Sequence, residues 1–245
     1  MTTTVTPTSI YNTDTDIYYW VYAFTDTTSS YTMTFDFGSP TFTINCLAVG
    51  GGGGGGILGG GGAGGFLQST YDVSGNVIID ISVGAGGISG SQDGSSQEIG
   101  SNGADTTIGS TITAVGGGGG GGNYCSNVSG GSGGGGGYDC AGGSGTSDQG
   151  TSGGAGYGNG VSGGGGGGAG AAGDNGTSSS GGAGGSGTYP TLAGIPTTTL
   201  YAEGGNGSPN SQRTLYANTG SGGDWKYDGY TGIVIIAILT TSINT

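Results

Sequence analysis

The chain has 245 residues, of which 69 are glycine, 2 are lysine or arginine, 15 are aspartate or glutamate and none is histidine, for a formal net charge of -13. Average soluble chains carry about 7% glycine and about 25% charged residues, so a charged fraction of 7% fits neither an ordinary globular enzyme nor a charge-driven disordered tail. The charge balance opposes a nucleic-acid backbone or an anionic membrane surface, and glycine runs without strict Gly-X-Y order or abundant proline exclude collagen.

Residues 1–30 lack both a basic n-region and an apolar h-region, so the chain is expected to be made without a cleaved leader. Residues 8–49 read as a small β unit. Thr, Tyr, Ile, Val and Phe dominate residues 17–25, 31–37 and 41–49, with turn residues at 26–30 and 38–40. Tyr31, Met33, Phe35 and Phe37 alternate with Thr32, Thr34 and Asp36, which predicts a strand with one buried face. Residues 1–49 are therefore expected to be an N-terminal β attachment unit, a platform from which the glycine-rich region starts.

Residues 50–229 are expected to form a glycine-rich body. Pure runs occupy 50–56, 116–122 and 163–168. Two β-like inserts interrupt them, within 66–83 and 106–115, and each feeds into another glycine segment. A flexible linker normally mixes glycine with serine or charged residues; these runs are pure or broken by alanine and alternate with strand-like and aromatic segments. Where neighbouring backbones carry only hydrogen at Cα, they can approach closely enough to bond to one another. The runs thus point to a bundle of polyglycine-II helices, three residues per turn, with pure glycine in the interior. Residues 230–245 hold the apolar run 232–239, far shorter than the roughly 20 residues of a membrane span. It reads as a closing β-strand buried on both faces that returns to the platform. The fold expectation is mostly β and irregular: a β platform, a polyglycine-II bundle joined by polar and aromatic loops, and a C-terminal closing strand.

Catalytic and cofactor motifs fail on inspection. Polyglycine satisfies the dinucleotide-binding glycine pattern trivially, yet nothing supplies the helix that must follow it. A P-loop needs Gly-Lys-Ser/Thr, but Lys226 precedes Tyr227; the candidate calcium repeats at 142–147 and 204–209 lack their aspartate. Asp14 with Asp16, and Asp224 with Asp228, read as solvated turn residues rather than a hydrolytic pair. No enzyme activity, cofactor or metal is expected. Cys46 reads as a small buried hydrophobe. Cys125 and Cys140 interrupt glycine runs, and a disulfide between them would require an oxidising environment.

Tyr124, Tyr138, Tyr157, Tyr189, Tyr201 and Tyr216, with Trp225 and Tyr227, lie in or beside the polar segments between the runs. Tyrosine offers a rigid face and one hydroxyl at low entropic cost, which suits recognition loops. The same rings could equally cap the ends of a bundle that has no other apolar cover.

The junctions at 41–56, 59–66, 81–87, 112–116 and 230–236 resemble those of glycine-rich proteins of viral surfaces. These include distal tail-fibre adhesins of T-even-type phages and related proteins of aquatic phages and large algal viruses. The resemblance spans about residues 40–240. It implies a virion structural protein at the particle surface, in a tail-fibre tip or capsid fibre, that exposes host-recognition loops and inserts into no membrane. Its partners would be other virion proteins through the N-terminal β unit, a host glycan or outer-surface protein, and in one arrangement further copies of itself. An extracellular glycine-rich filament or ice-binding bundle is the alternative.

Overall fold

The computed structural model describes residues 8–12, 17–36, 41–91, 99–123, 128–158 and 162–239. The five-stranded sheet A comprises β1 (Thr8–Asn12), β2 (Ile17–Phe24), β4 (Phe42–Val49), β5 (Phe66–Val73) and β9 (Ile233–Leu239), in the order β1-β2-β9-β4-β5. The four-stranded sheet B runs β3-β6-β7-β8, from β3 (Tyr31–Asp36), β6 (Asn76–Ser82), β7 (Thr106–Ile108) and β8 (Ile112–Ala114). Every pairing is antiparallel.

The two sheets enclose one core. Phe24, Phe42, Ile44, Cys46, Val234 and Ile236 from sheet A meet Tyr31, Phe35, Ile79, Ile81, Ile108 and Ala114 from sheet B. The rings of Phe24 and Tyr31 pack edge to face with centroids 5.0 Å apart, a geometry that sets one ring's positive edge on the other's negative face. In β3, Tyr31 and Phe35 are buried while Thr32 and Thr34 are exposed, as period-two patterning requires when one face meets a core. β9 lies between β2 and β4 and is buried on both faces. Val234, Ile236 and Ile238 enter the inter-sheet core; Ile233, Ile235 and Ala237 enter a second cluster on the outer face of sheet A, with Tyr19, Val21, Leu47 and Ile195. That double burial accounts for its uninterrupted apolar sequence.

The expected bundle of polyglycine-II helices is corrected here. The described residues form two antiparallel sheets and contain no helix; the β part of the expectation survives in this coarser form. The strands, rather than the runs, set the architecture. Val49 leads into Gly50, Gly65 into Phe66, Val115 into Gly116 and Gly232 into Ile233, so the glycine segments prolong the strands beyond one end of both sheets.

These segments lie outside the strands and are bonded from one to the next. The amides of Gly50, Gly53 and Gly56 donate to Gly65, Gly62 and Gly59, those of Gly51 and Gly54 to Ala104 and Ser101, and those of Gly52 and Gly55 to Tyr230 and Tyr227, at 2.8 to 3.0 Å. Their carbonyls accept from other segments in turn, Gly51 and Gly54 from Gly117 and Gly120, Gly52 and Gly55 from Gly87 and Gly90. A β-carbon at Gly53 would fall on the carbonyl oxygen of Gly118, and one at Gly119 on that of Gly100, so no side chain fits between the segments. The peripheral segment 84–90 buries every third residue as glycine. Gly84, Gly87 and Gly90 are buried while Ala85 and Ile88 are exposed; the pure runs 51–56 and 116–122 are buried throughout.

Candidate binding site

Turns at two levels join the glycine segments. At the end away from the sheets, Gly56 donates to Gly59 at 2.9 Å, Lys226 to Gly56 at 2.9 Å, Ser208 to Leu58 at 2.7 Å and Tyr138 to Gly122 at 3.3 Å. Tyr138, Tyr157 and Tyr227 are exposed on these far turns. Lys226, in the left-handed region at φ 67°, places its ammonium 4.2 Å from the centroid of the Trp225 ring.

At the near end, residues 188–201 leave the body and cross the outer face of sheet A. Thr188 and Tyr201 exchange backbone bonds of 2.9 and 3.0 Å that close this excursion. Leu192, Ala193 and Ile195 pack onto Tyr19, Val21, Ile235 and Ala237, while Asn45 Nδ2 donates to Ala193 O at 2.8 Å and Gln68 Oε1 accepts from the amide of Thr191 at 2.7 Å. Gly194, at φ 77°, has no room for a side chain, because a β-carbon there would meet the Tyr19 ring. Sequence and contact agree on glycine at this position.

Between this excursion and residues 216–219 lies a cleft of about 660 Å³, lined among others by Tyr189, Tyr201, Tyr216, Glu203, Asn218 and Ile233. Tyr189 and Tyr216 are 52% and 68% exposed, whereas Tyr201 is 4% exposed; burial raises the Tyr201 phenol pKa, partly offset by a hydrogen bond with Thr199. Glu203 forms an ion pair with Arg213, whose Nη1 also donates to Gly204 O at 2.7 Å. Thr219 Oγ1 donates to Tyr216 O at 2.6 Å, and Thr231 Oγ1 to Asn218 Oδ1 at 2.8 Å. Ala202 and Asn218 both adopt left-handed backbone, at φ 57° and 59°.

The family model of the glycine-rich domain matches residues 26–237. The chain belongs to the glycine-rich domain family. No curated protein matches it.

Of the tyrosines singled out in the sequence of this glycine-rich domain, Tyr189, Tyr201 and Tyr216 come together at the cleft, and Tyr138 and Tyr157 stand on far turns. Tyr124 and Cys125 lie outside the described residues. Cys140 is disulfide-bonded and Cys46 is a free, buried thiol whose pKa is pushed up to about 12 by burial. Among the described residues no group of three or more His, Cys, Asp or Glu could hold a metal ion, and no helix is long and apolar enough to cross a membrane.

Sequence reasoning missed the polar frame beside the cleft. Asp224, read in the sequence as a solvated turn residue, is instead buried and accepts from the amides of Asn206, at 2.7 Å, and Arg213. Burial raises its carboxyl pKa, against lowering by those two bonds and the Arg213 charge. No local pattern marks it: of the chain's two basic residues, Arg213 pairs with Glu203 while Lys226 lies over the Trp225 ring.

Proposed function

We propose that this glycine-rich domain is a structural protein of a virion surface, in a tail-fibre tip or capsid fibre, that holds recognition turns on a rigid backbone-bonded body and performs no catalysis. The observation that carries the reading is the division of labour along the chain. Interior glycine segments consume their own amides and carbonyls in bonds to each other, leaving nothing for a ligand, while exposed rings concentrate on the turns that join them, at Tyr138, Tyr157, Tyr189, Tyr216 and Tyr227. Rigid tyrosine on a well-held turn is suited to contact area at low entropic cost. The sheets supply the end by which other virion proteins would be engaged, and the partner outside would be a host-surface glycan or protein. The viral setting is supported by the strand-to-glycine junctions at residues 41–56 and 230–236.

Mass spectrometry of purified particles, with the isolated chain as a competitor of host attachment, tests this. The chain is expected among the particle proteins and should block attachment. Tyr138→Ser with Tyr157→Ser should weaken the block, since a true hot-spot ring is worth about 2 to 4 kcal/mol. Absence from particles, or a block insensitive to these rings, would contradict the proposal.

A further inference from the structure

The flank cleft differs from the far turns in shape and chemistry. It is concave, and its volume of about 660 Å³ lies within the roughly 300 to 1,000 Å³ of small-ligand sites. Its walls are the exposed rings of Tyr189 and Tyr216, its floor the buried Tyr201 and Ile233. The polar groups around it are neutral, hydroxyls of Thr198 and Thr199 and the amide of Asn218. Its carboxylate, Glu203, is held by Arg213, and that guanidinium is in turn occupied by Glu203 and Gly204.

We infer that this cleft binds a neutral pyranose saccharide of one or two rings. A ligand anion would find no free cation there, and the net charge of -13 opposes its approach. A ligand cation would find Glu203 already paired. A neutral sugar satisfies both halves of the lining. Its C–H faces carry slight positive charge and stack on the negative face of a tyrosine ring, and its hydroxyls both donate and accept, as threonine and asparagine do. The inference gives the proposed surface recognition its ligand class and rests on that reading.

Saturation-transfer NMR on the full chain tests it, with methyl α-glucoside, methyl β-galactoside, N-acetylglucosamine and lactose as probes and glucuronate as the anionic control. Transfer is expected to at least one neutral probe, with the signal lost or reduced at least tenfold in Tyr216→Ala and in Tyr189→Ala, and no transfer to glucuronate. Both rings are exposed, so the variants should fold, which an unchanged thermal midpoint verifies. No transfer to any neutral probe, equal transfer in the variants, or preference for glucuronate would overturn the inference. Transfer by a chain that particle proteomics fails to find would overturn the virion reading and leave the cleft standing; presence in particles without transfer would do the reverse.

Discussion

In the sandwich, Ile44, Ile81, Ile108 and Ile236 are almost fully buried and fill the space between two sheets, so removing apolar surface from water drives association. In residues 50–56 the burial is equally complete, yet no side chain exists to be buried. There, peptide groups satisfy one another across close-approaching backbones, and Cα–H to carbonyl contacts add to the bonds. Glycine loses the most backbone entropy on folding. The body can stand only if nearly every interior amide and carbonyl finds a partner, because each unpaired buried group costs about 1 to 3 kcal/mol. The two regions therefore fail differently, the first through cavities and the second through intrusion.

The largest effect should come from intrusion. Gly119→Leu places a side chain on the carbonyl of Gly100 and should cost more than about 4 kcal/mol or prevent folding, whereas Ser179→Leu, at an exposed turn position, should stay within about 0.5 kcal/mol. Equal denaturant midpoints for the two variants would erase the distinction between regions. A cavity comes next. Ile236→Ala should cost about 2 to 5 kcal/mol by loss of buried methyl groups and the void left behind, read from the same unfolding curves; a loss under about 1 kcal/mol would mean that the inter-sheet core is loosely packed.

A smaller effect of opposite sign sharpens the contrast. Ser132 is fully buried in the glycine body and its Oγ has no partner among the described residues. Ser132→Ala removes an unsatisfied hydroxyl without adding volume and should be neutral or stabilising by about 1 kcal/mol; a clear destabilisation would show that the hydroxyl is bonded in solution. The smallest effect is electrostatic. Burial raises the Asp224 carboxyl pKa, so the folded state holds this proton more tightly than the unfolded chain does. The group's contribution to stability is then fully present below its ordinary value near 3.8 and lost as pH rises through the raised folded value. The stability of the parent relative to Asp224→Asn should accordingly fall with rising pH across the carboxylate range. A difference that is flat, or that grows with pH, would reverse the assigned direction.

Much of the sandwich is legible in the sequence. The alternation of Tyr31, Met33 and Phe35 and the unbroken run of β9 each follow from how many faces meet a core. The distribution of strands between sheets is not legible: β3 pairs with β6, some 45 residues away, and nothing local in Tyr31–Asp36 specifies that partner. In the glycine region, the pure runs 50–56 and 116–122 mark interior segments, but an interruption does not mark the periphery: Ala63, Ser132 and Asn206 each interrupt a glycine run and are buried. The helical form read into those runs is what the structure corrects, since the described residues hold two antiparallel sheets and no helix. At the cleft, tyrosine composition identified Tyr189, Tyr201 and Tyr216, but the same residue type serves as exposed wall and as buried floor. Burial depends on Ile233 and the outer face of sheet A, which no local pattern reveals. The Glu203 to Arg213 pair escaped for the same reason, its members being chosen by the fold.

Glycine segments without side chains are held as firmly as the strands they prolong. Native-state amide hydrogen exchange measures this residue by residue. If each amide is bonded to a neighbouring segment, Gly51 to Gly55 and Gly117, Gly118, Gly120 and Gly121 should show protection comparable to that of the β9 amides. Exchange at these glycines as fast as in an unstructured peptide, with β9 still protected, would contradict the account.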